Sequence, residues 1–136
     1  MTVDTRTTWW RLPTEAPPEW AEAFAALTSD EGTERFGLAA AIFISRVRKR
    51  TGRGPTFAEL FEEVQSLDPV VSPRWPDDAS KTGQRATTQS FRYFVAAHWK
   101  RRGWVSFDRG LERSLRTGRT FRQRSRERQR SRAAES

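Results

Sequence analysis

The chain has 136 residues, which suits one domain with a modest core and not two. It has no cysteine, so disulfides, thiolate metal sites and a cysteine nucleophile are excluded. Its formal charge is +8, from 25 Lys and Arg against 17 Asp and Glu.

Hydrophobic residues make up 35% of the chain and charged residues 31%, so the expected core is lean and relies on aromatics, with 9 Phe and 6 Trp. No apolar run approaches the roughly 20 residues of a membrane span. The start, MTVDTRTTWW, lacks the basic and apolar regions of a secretory signal. A soluble, cytoplasmic protein with no membrane partner is the expectation.

The charge is unevenly spread. Residues 1–35 carry 3 Arg against 7 acids, residues 36–108 carry 12 basic against 7 acidic residues, and residues 109–136 carry 10 Arg against 3 Glu. Positive charge rising toward the C-terminus points to a polyanionic partner, nucleic acid before membrane, because no strongly apolar face accompanies it. Solubility alone, with a composition that favours Arg over Lys, is the plainer alternative.

In chain order, residues 1–13 read as an arm whose Trp9 and Trp10 pack on the domain or on a partner. A helix start at Thr14–Pro18 leads into a first helix through Glu19–Leu27, with Trp20, Phe24 and Leu27 on one face and Ser29, Asp30 and Gly32 breaking it. A second helix covers about Thr33–Arg50. Phe36, Ala40, Phe43 and Val47 form one stripe, and Leu38 and Ile42 lie nearly opposite. Such a helix is central to the fold or shared with a second subunit. Arg46, Arg48, Lys49 and Arg50 suit its last turn.

Thr51–Pro55 ends that helix. Its two glycines lack the GK[ST] of a phosphate loop and read as a turn. Thr56 and Glu59 have the spacing of a capping box, opening a helix to about Leu67 that buries Leu60, Phe61, Val64 and Leu67. Residues 68–85 then form a long proline-containing connection, pinned to the core by Val70, Val71 and Trp75. Within it, Lys81 and Arg85 suit phosphate contact.

The next helix, about Thr88–Arg102, divides cleanly at about 100° per residue. Phe91, Phe94, Val95, His98 and Trp99 fall on the arc expected to be buried. Gln89, Arg92, Tyr93, Ala96 and Lys100 fall on the arc expected to be exposed. Gln and Arg can bond adenine and guanine edges in two places at once, and Ala allows close approach. An ordinary solvated face has the same residue types. Gly103 ends the helix. Trp104–Phe107 and Leu111–Leu115 alternate as strands about an Asp108-Arg109-Gly110 turn, with Leu111 and Leu115 inward and Arg109, Arg113 and Arg116 at the tip. Residues 117–136 form an Arg-rich tail, disordered or helical on binding.

The segment Phe91-Arg-Tyr-Phe-Val-Ala-Ala-His-Trp-Lys-Arg-Arg-Gly-Trp-Val-Ser-Phe-Asp-Arg-Gly110 resembles the winged helix-turn-helix superfamily. There a recognition helix commonly ends in a basic pair and Gly, ahead of a hydrophobic strand and a charged wing tip. The resemblance implies that Gln89, Arg92 and Tyr93 occupy a major groove while the wing lies on the backbone. The connection at 68–85 departs from the usual turn of about three or four residues.

The expected fold is therefore mainly α with a small β-hairpin: an N-terminal extension (1–32), a winged helix core (33–116) and a basic tail (117–136). The expected function is binding of double-stranded DNA, by a transcriptional regulator or a replication or mobile-element accessory factor. Its reading helix spans about 88–102 and its wing about 104–116. The expected contacts are Gln89, Arg92, Tyr93, Lys100, Arg109, Arg113, Arg116, Lys81 and Arg85. Winged-helix regulators are often dimers, and the two-sided helix Thr33–Arg50 offers a surface for a homodimer by that analogy, while the sequence itself does not give the oligomeric state. An RNA-binding or ribosome-associated protein, or an adaptor using Trp9, Trp10 and Trp20, are the alternatives.

Catalysis has few candidate groups. His98-x-x-Arg101 matches a fragment of the tyrosine recombinases, but the only Tyr lies upstream and His98 falls on the apolar arc. Asp77 and Asp78 lack a third ligand in sequence. No metal, no cofactor and no enzymatic activity are the expectation.

Overall fold

The computed structural model describes residues 16–135, so the arm with Trp9 and Trp10, and Thr14, lie outside the described residues. The protein is mainly helical with one two-stranded antiparallel sheet. The first helix, α1 (Glu19–Thr28), carries Glu19 and Glu22 in its first turn and buries Trp20, Ala23, Phe24 and Leu27. These side chains share one core with Phe61, Phe91 and Trp99. A division after residue 32 therefore cuts through a single core, and α1 is part of the domain rather than an extension.

Ser29 leaves the helical conformation and caps the next helical segment, its hydroxyl accepting from the Gly32 amide at 3.0 Å. From there α2 (Asp30–Gly32), a π-helical turn (Thr33–Gly37) and α3 (Leu38–Thr51) run on as one rod. Gly32 does not break a helix but continues one, buried against the end of α1. A π turn adds a residue to the rod and shifts the helical phase. The buried line is accordingly Phe36, Ala40, Ala41, Ile44 and Val47, while Phe43 and Leu38 are half-buried and Ile42 is 37% exposed. Gly37 sits in the π turn because the Trp104 ring passes there, and an added Cβ would lie 2.8 Å from it.

The capping box at Thr56 is complete. Glu59 N–H donates to the Thr56 hydroxyl at 3.1 Å and Thr56 N–H to the Glu59 carboxylate at 2.8 Å. It opens α4 (Phe57–Gln65), which buries Leu60, Phe61 and Val64. Leu67 falls beyond the helix and is 48% exposed.

The connection to the next helix holds a short 3-10 turn (Pro69–Val71) that buries Val71 and leaves Val70 exposed. Trp75 fastens it, its ring 4.9 Å from that of Trp20, whose indole N–H donates to the Arg74 carbonyl. The next helix, α5 (Lys81–Arg101), starts two turns earlier than the apolar pattern indicates, because Ser80 caps it with a hydroxyl 3.0 Å from the Gly83 amide. Lys81 and Arg85 thus lie on α5, not in the connection.

At the centre, Trp99 stacks on Phe61 with ring centroids 5.5 Å apart, and its indole N–H donates to the Leu27 carbonyl at 2.9 Å. Phe91 meets Trp20 edge to face at 5.2 Å. His98 is buried with its ring 5.9 Å from that of Phe24.

Helix α5 closes with the paired bonds of a Schellman motif, Trp104 N–H to Trp99 carbonyl and Gly103 N–H to Lys100 carbonyl, both 3.0 Å, with Gly103 at φ 82°. Strands β1 (Val105–Ser106) and β2 (Arg116–Thr117) pair Val105 with Thr117 and Ser106 with Arg116. The hairpin is therefore longer-looped than its alternation suggests, with residues 107–115 outside the ladder. Arg113 adopts φ 60° there, and Ser114 Oγ bridges the Asp108 amide and carbonyl. This curl seats Leu115 in the core and leaves Leu111 62% exposed. The last helix, α6 (Arg119–Glu135), occupies the Arg-rich tail. Among the described residues no helix is long and apolar enough to cross a membrane.

Two substitutions test this frame. Gly103→Ala puts a Cβ in the left-handed region, at about 1–2 kcal/mol, and drives it into Thr120. Trp99→Phe keeps a ring but leaves the buried Leu27 carbonyl without its donor, at about 1–3 kcal/mol. Both should lower the urea midpoint with an unchanged slope.

Candidate nucleic-acid interface

Two concave regions flank the hairpin. One, of about 480 Å³, lies under residues 107–115 and is lined by Phe57, Tyr93, Phe107, Arg109, Arg113 and Leu115 among others. The second, of about 390 Å³, lies where α5 ends, the hairpin begins and α6 starts. Its charged lining is entirely basic: Lys100, Arg101, Arg102, Arg116, Arg119 and Arg122, with Ser106 and Thr120 between them.

Backbone geometry builds this basic cavity. Gly118 packs against Gly103, and a Cβ on Gly118 would meet the Gly103 carbonyl. The Gly118 N–H donates to the Trp104 carbonyl at 2.8 Å. The Thr120 and Phe121 N–H groups donate to the Gly103 carbonyl at 2.9 and 3.3 Å. The Thr120 hydroxyl adds a bond to the Arg102 carbonyl at 2.9 Å. Two basic segments more than a dozen residues apart in sequence are thereby brought side by side.

The cations are partly tied. Arg102 pairs with Asp30, and Arg116 bonds both Asp108 oxygens at 3.2 and 3.3 Å. Lys100 Nζ donates to the Phe107 carbonyl at 2.8 Å, and Arg122 to the Thr117 carbonyl at 2.7 Å. Exposed pairs of this kind exchange readily for a stronger anion, since each contributes only about 0–1 kcal/mol.

The expected contact residues divide into groups. Lys100 and Arg116 line the basic cavity. Tyr93, Arg109 and Arg113 line the apolar one, with the Arg109 guanidinium 5.6 Å from the Tyr93 ring centre. Arg113 is turned back onto the body, 3.2 Å from the Glu59 carboxylate. Lys81 and Arg85 are exposed at the far end of α5. Lys81 lies about 28 Å from Lys100 along the axis, at about 1.5 Å per residue.

The arc expected to be open is largely covered. Gln89 is exposed, but Ala96 is fully buried and cannot meet a base. Tyr93 is half-buried against Phe107, ring centroids 6.0 Å apart. Arg92 is half-buried, its Nε enclosed without a hydrogen-bond partner among the described residues. Burial lowers its pKa below the usual arginine range, partly countered by Glu62. The covering follows from position: α5 packs against α1, α4 and β1.

Arg101, Arg102, Arg119 and Arg122 escape the sequence-based selection. The signal was present in the basic run that precedes Gly103 and in the arginines around Gly118. What joins them is the contact between the two glycines. Among the described residues no group of three or more potential metal ligands forms, and Asp77 and Asp78 stay exposed. Compared with known proteins, the chain matches no protein family, no characterised protein and no solved structure.

Glu59 offers a pH test of how residues 107–115 are held. The Thr56 backbone bond, then the Thr56 hydroxyl and Arg113, hold its carboxyl below the ordinary 4.5 against a smaller opposing effect of desolvation. A depressed folded-state pKa means its stabilisation is full above 4.5 and is lost as pH falls through the lower folded value. NMR titration of the Glu59 carboxyl should show a rise in Thr56→Ala and in Arg113→Ala that stays short of 4.5 in both, because each variant keeps the Thr56 backbone N–H bond, the largest cause of the depression.

Proposed function

We propose that this protein binds double-stranded DNA through a winged-helix arrangement. The supporting order is α3, α4 and α5 followed by the β1–β2 hairpin. In this reading α4 and α5 are the helix pair, and residues 107–115 with the two strands are the wing. The observation that carries it is the cavity of about 390 Å³ lined by six Lys and Arg side chains and no acid.

The cavity suits a phosphate chemically. Guanidinium groups bond phosphate oxygens in two places at once, and the Ser106 hydroxyl supplies a further donor. It opens beside the wing, where a backbone contact fixes the register of a duplex without reading its bases. Gln89 is the exposed α5 residue best suited to a base edge, with Tyr93 beside it and half-covered. Arg109 and Arg116 remain the wing cations that reach a neighbouring phosphate. The connection at residues 66–80 is longer than a standard turn, so α4 and α5 are held by Trp75 on Trp20 and by shared core contacts rather than by a tight turn.

Fluorescence anisotropy with a labelled duplex DNA tests this. The double variant Arg101→Ala/Arg119→Ala should weaken binding equally for unrelated sequences. It should also flatten the plot of log K against log salt by about 0.9 for each phosphate no longer neutralised. Unchanged affinity in a folded double variant would sink the proposal, as would easy displacement of the DNA by single-stranded RNA.

A further inference from the structure

We infer that α6 is itself a groove-binding helix, which enters the major groove of duplex DNA with an arginine row facing each strand. The inference rests on the DNA-binding reading above and adds to it a second helix that enters a groove.

Helix α6 is built for no protein core. Every residue from Arg122 to Ala134 is exposed except the half-covered Ser125. The body holds its start through the partly buried Phe121 and through Arg124, which lies 5.0 Å from the Trp104 ring centre and 3.1 Å from the Glu34 carboxylate.

Its arginines alternate in sequence, and that spacing has a geometric result. At about 100° per residue, Arg119, Arg122, Arg126 and Arg130 fall within one arc of about 80°. Arg124, Arg128 and Arg132 fall within a second arc of about 80°, nearly opposite the first. The first row starts at the basic cavity, which Arg119 and Arg122 line, and carries its charge outward. The second row starts at the body and runs along the other side.

A helix lying on one charged surface needs cations on one side only. Cations on two opposite sides, with no apolar face, match a slot with two anionic walls. The B-form major groove is about 12 Å wide, against about 10–12 Å for a helix with its side chains. Its walls are the two phosphate backbones. The A-form major groove of duplex RNA is too narrow and deep to admit the helix. Gln123 lies in one gap between the rows and Gln129 in the opposite gap, so whichever gap faces the groove floor carries one glutamine able to meet a base edge.

The test compares the intact chain with two double variants, Arg126→Ala/Arg130→Ala from one row and Arg128→Ala/Arg132→Ala from the other. Alanine is the best helix former, so helicity by circular dichroism should hold. The probes are a 20-base-pair DNA duplex and the RNA duplex of the same sequence. Each double variant should flatten the salt slope on DNA by about two, at about 0.9 per phosphate. The intact chain should protect guanine N7, a major-groove atom, from dimethyl sulfate, and either variant should lose that protection. The RNA duplex should bind at least tenfold more weakly.

A slope that changes for one row only, unchanged N7 methylation, or equal binding to RNA would each overturn the inference. If the intact chain binds no duplex even at low salt, the DNA-binding proposal itself falls. If it binds and both α6 variants bind as well, only the role of α6 falls.

Discussion

Trp99 is the side chain on which the rest of the structure depends. It is fully buried, lies flat on Phe61 and bonds the Leu27 carbonyl, so one residue joins α5 to α4 and to the end of α1. A buried indole contributes a large apolar area and must also place its N–H, so its position tolerates little displacement. The Leu27 carbonyl lies in the last turn of α1, where no helical partner remains for it. Both requirements are met by the same contact. The basic run Lys100-Arg101-Arg102 follows Trp99 directly, so the contact that organises the core also fixes where α5 presents its cations.

The ion pairs do different work. The pairs of Arg35 with Asp68, Arg102 with Asp30, Arg113 with Glu59, Arg116 with Asp108 and Arg124 with Glu34 are all at the surface. Each contributes little to stability. Their effect is on the distribution of charge, because they offset arginines close to the body. Arg119, Arg126 and Arg130 form no ion pair among the described residues. Of the acids in the first third of the chain, Asp30 pairs with Arg102 just past α5 and Glu34 with Arg124 near the start of α6.

Much of the architecture was legible in the sequence, and the legible parts share a cause: the local chemistry that writes them also decides them. Thr56 and Glu59 spell a capping box and form one. Gly103 follows a helix and takes the left-handed conformation. Phe91, Val95, His98 and Trp99 on the apolar arc of α5 are buried as its period requires, while Phe94 on the same arc is half-buried. The failures are equally local. The first two turns of α5 carry Lys81, Thr82, Gly83, Gln84 and Arg85, with no apolar side chain to show a period, and only the Ser80 cap marks the start. Leu111 to Leu115 alternate like a strand, but the left-handed Arg113 reverses the chain, so Leu111 and Leu115 face opposite environments. Ala96 is small enough to look accessible and is buried for the same reason. The basic cavity was unreadable because its two halves meet only through the approach of Gly103 and Gly118, which no periodicity encodes.

That approach also has a mechanical meaning. The Gly103 carbonyl, two residues past the end of α5, accepts from two N–H groups in the first turn of α6, while Gly118 bonds Trp104. The end of α5 and the start of α6 are therefore joined directly through backbone hydrogen bonds. Helix α6 is about 26 Å long, at about 1.5 Å per residue. It acts as a pointer whose bearing is set at the joint, and a tilt of about 10° in the end of α5 would sweep its tip by about 4–5 Å, nearly one helical turn. Small rearrangements around Trp99 are thus magnified at the far end of the arm, which makes the direction of that arm a sensitive gauge of the packing at the centre of the molecule.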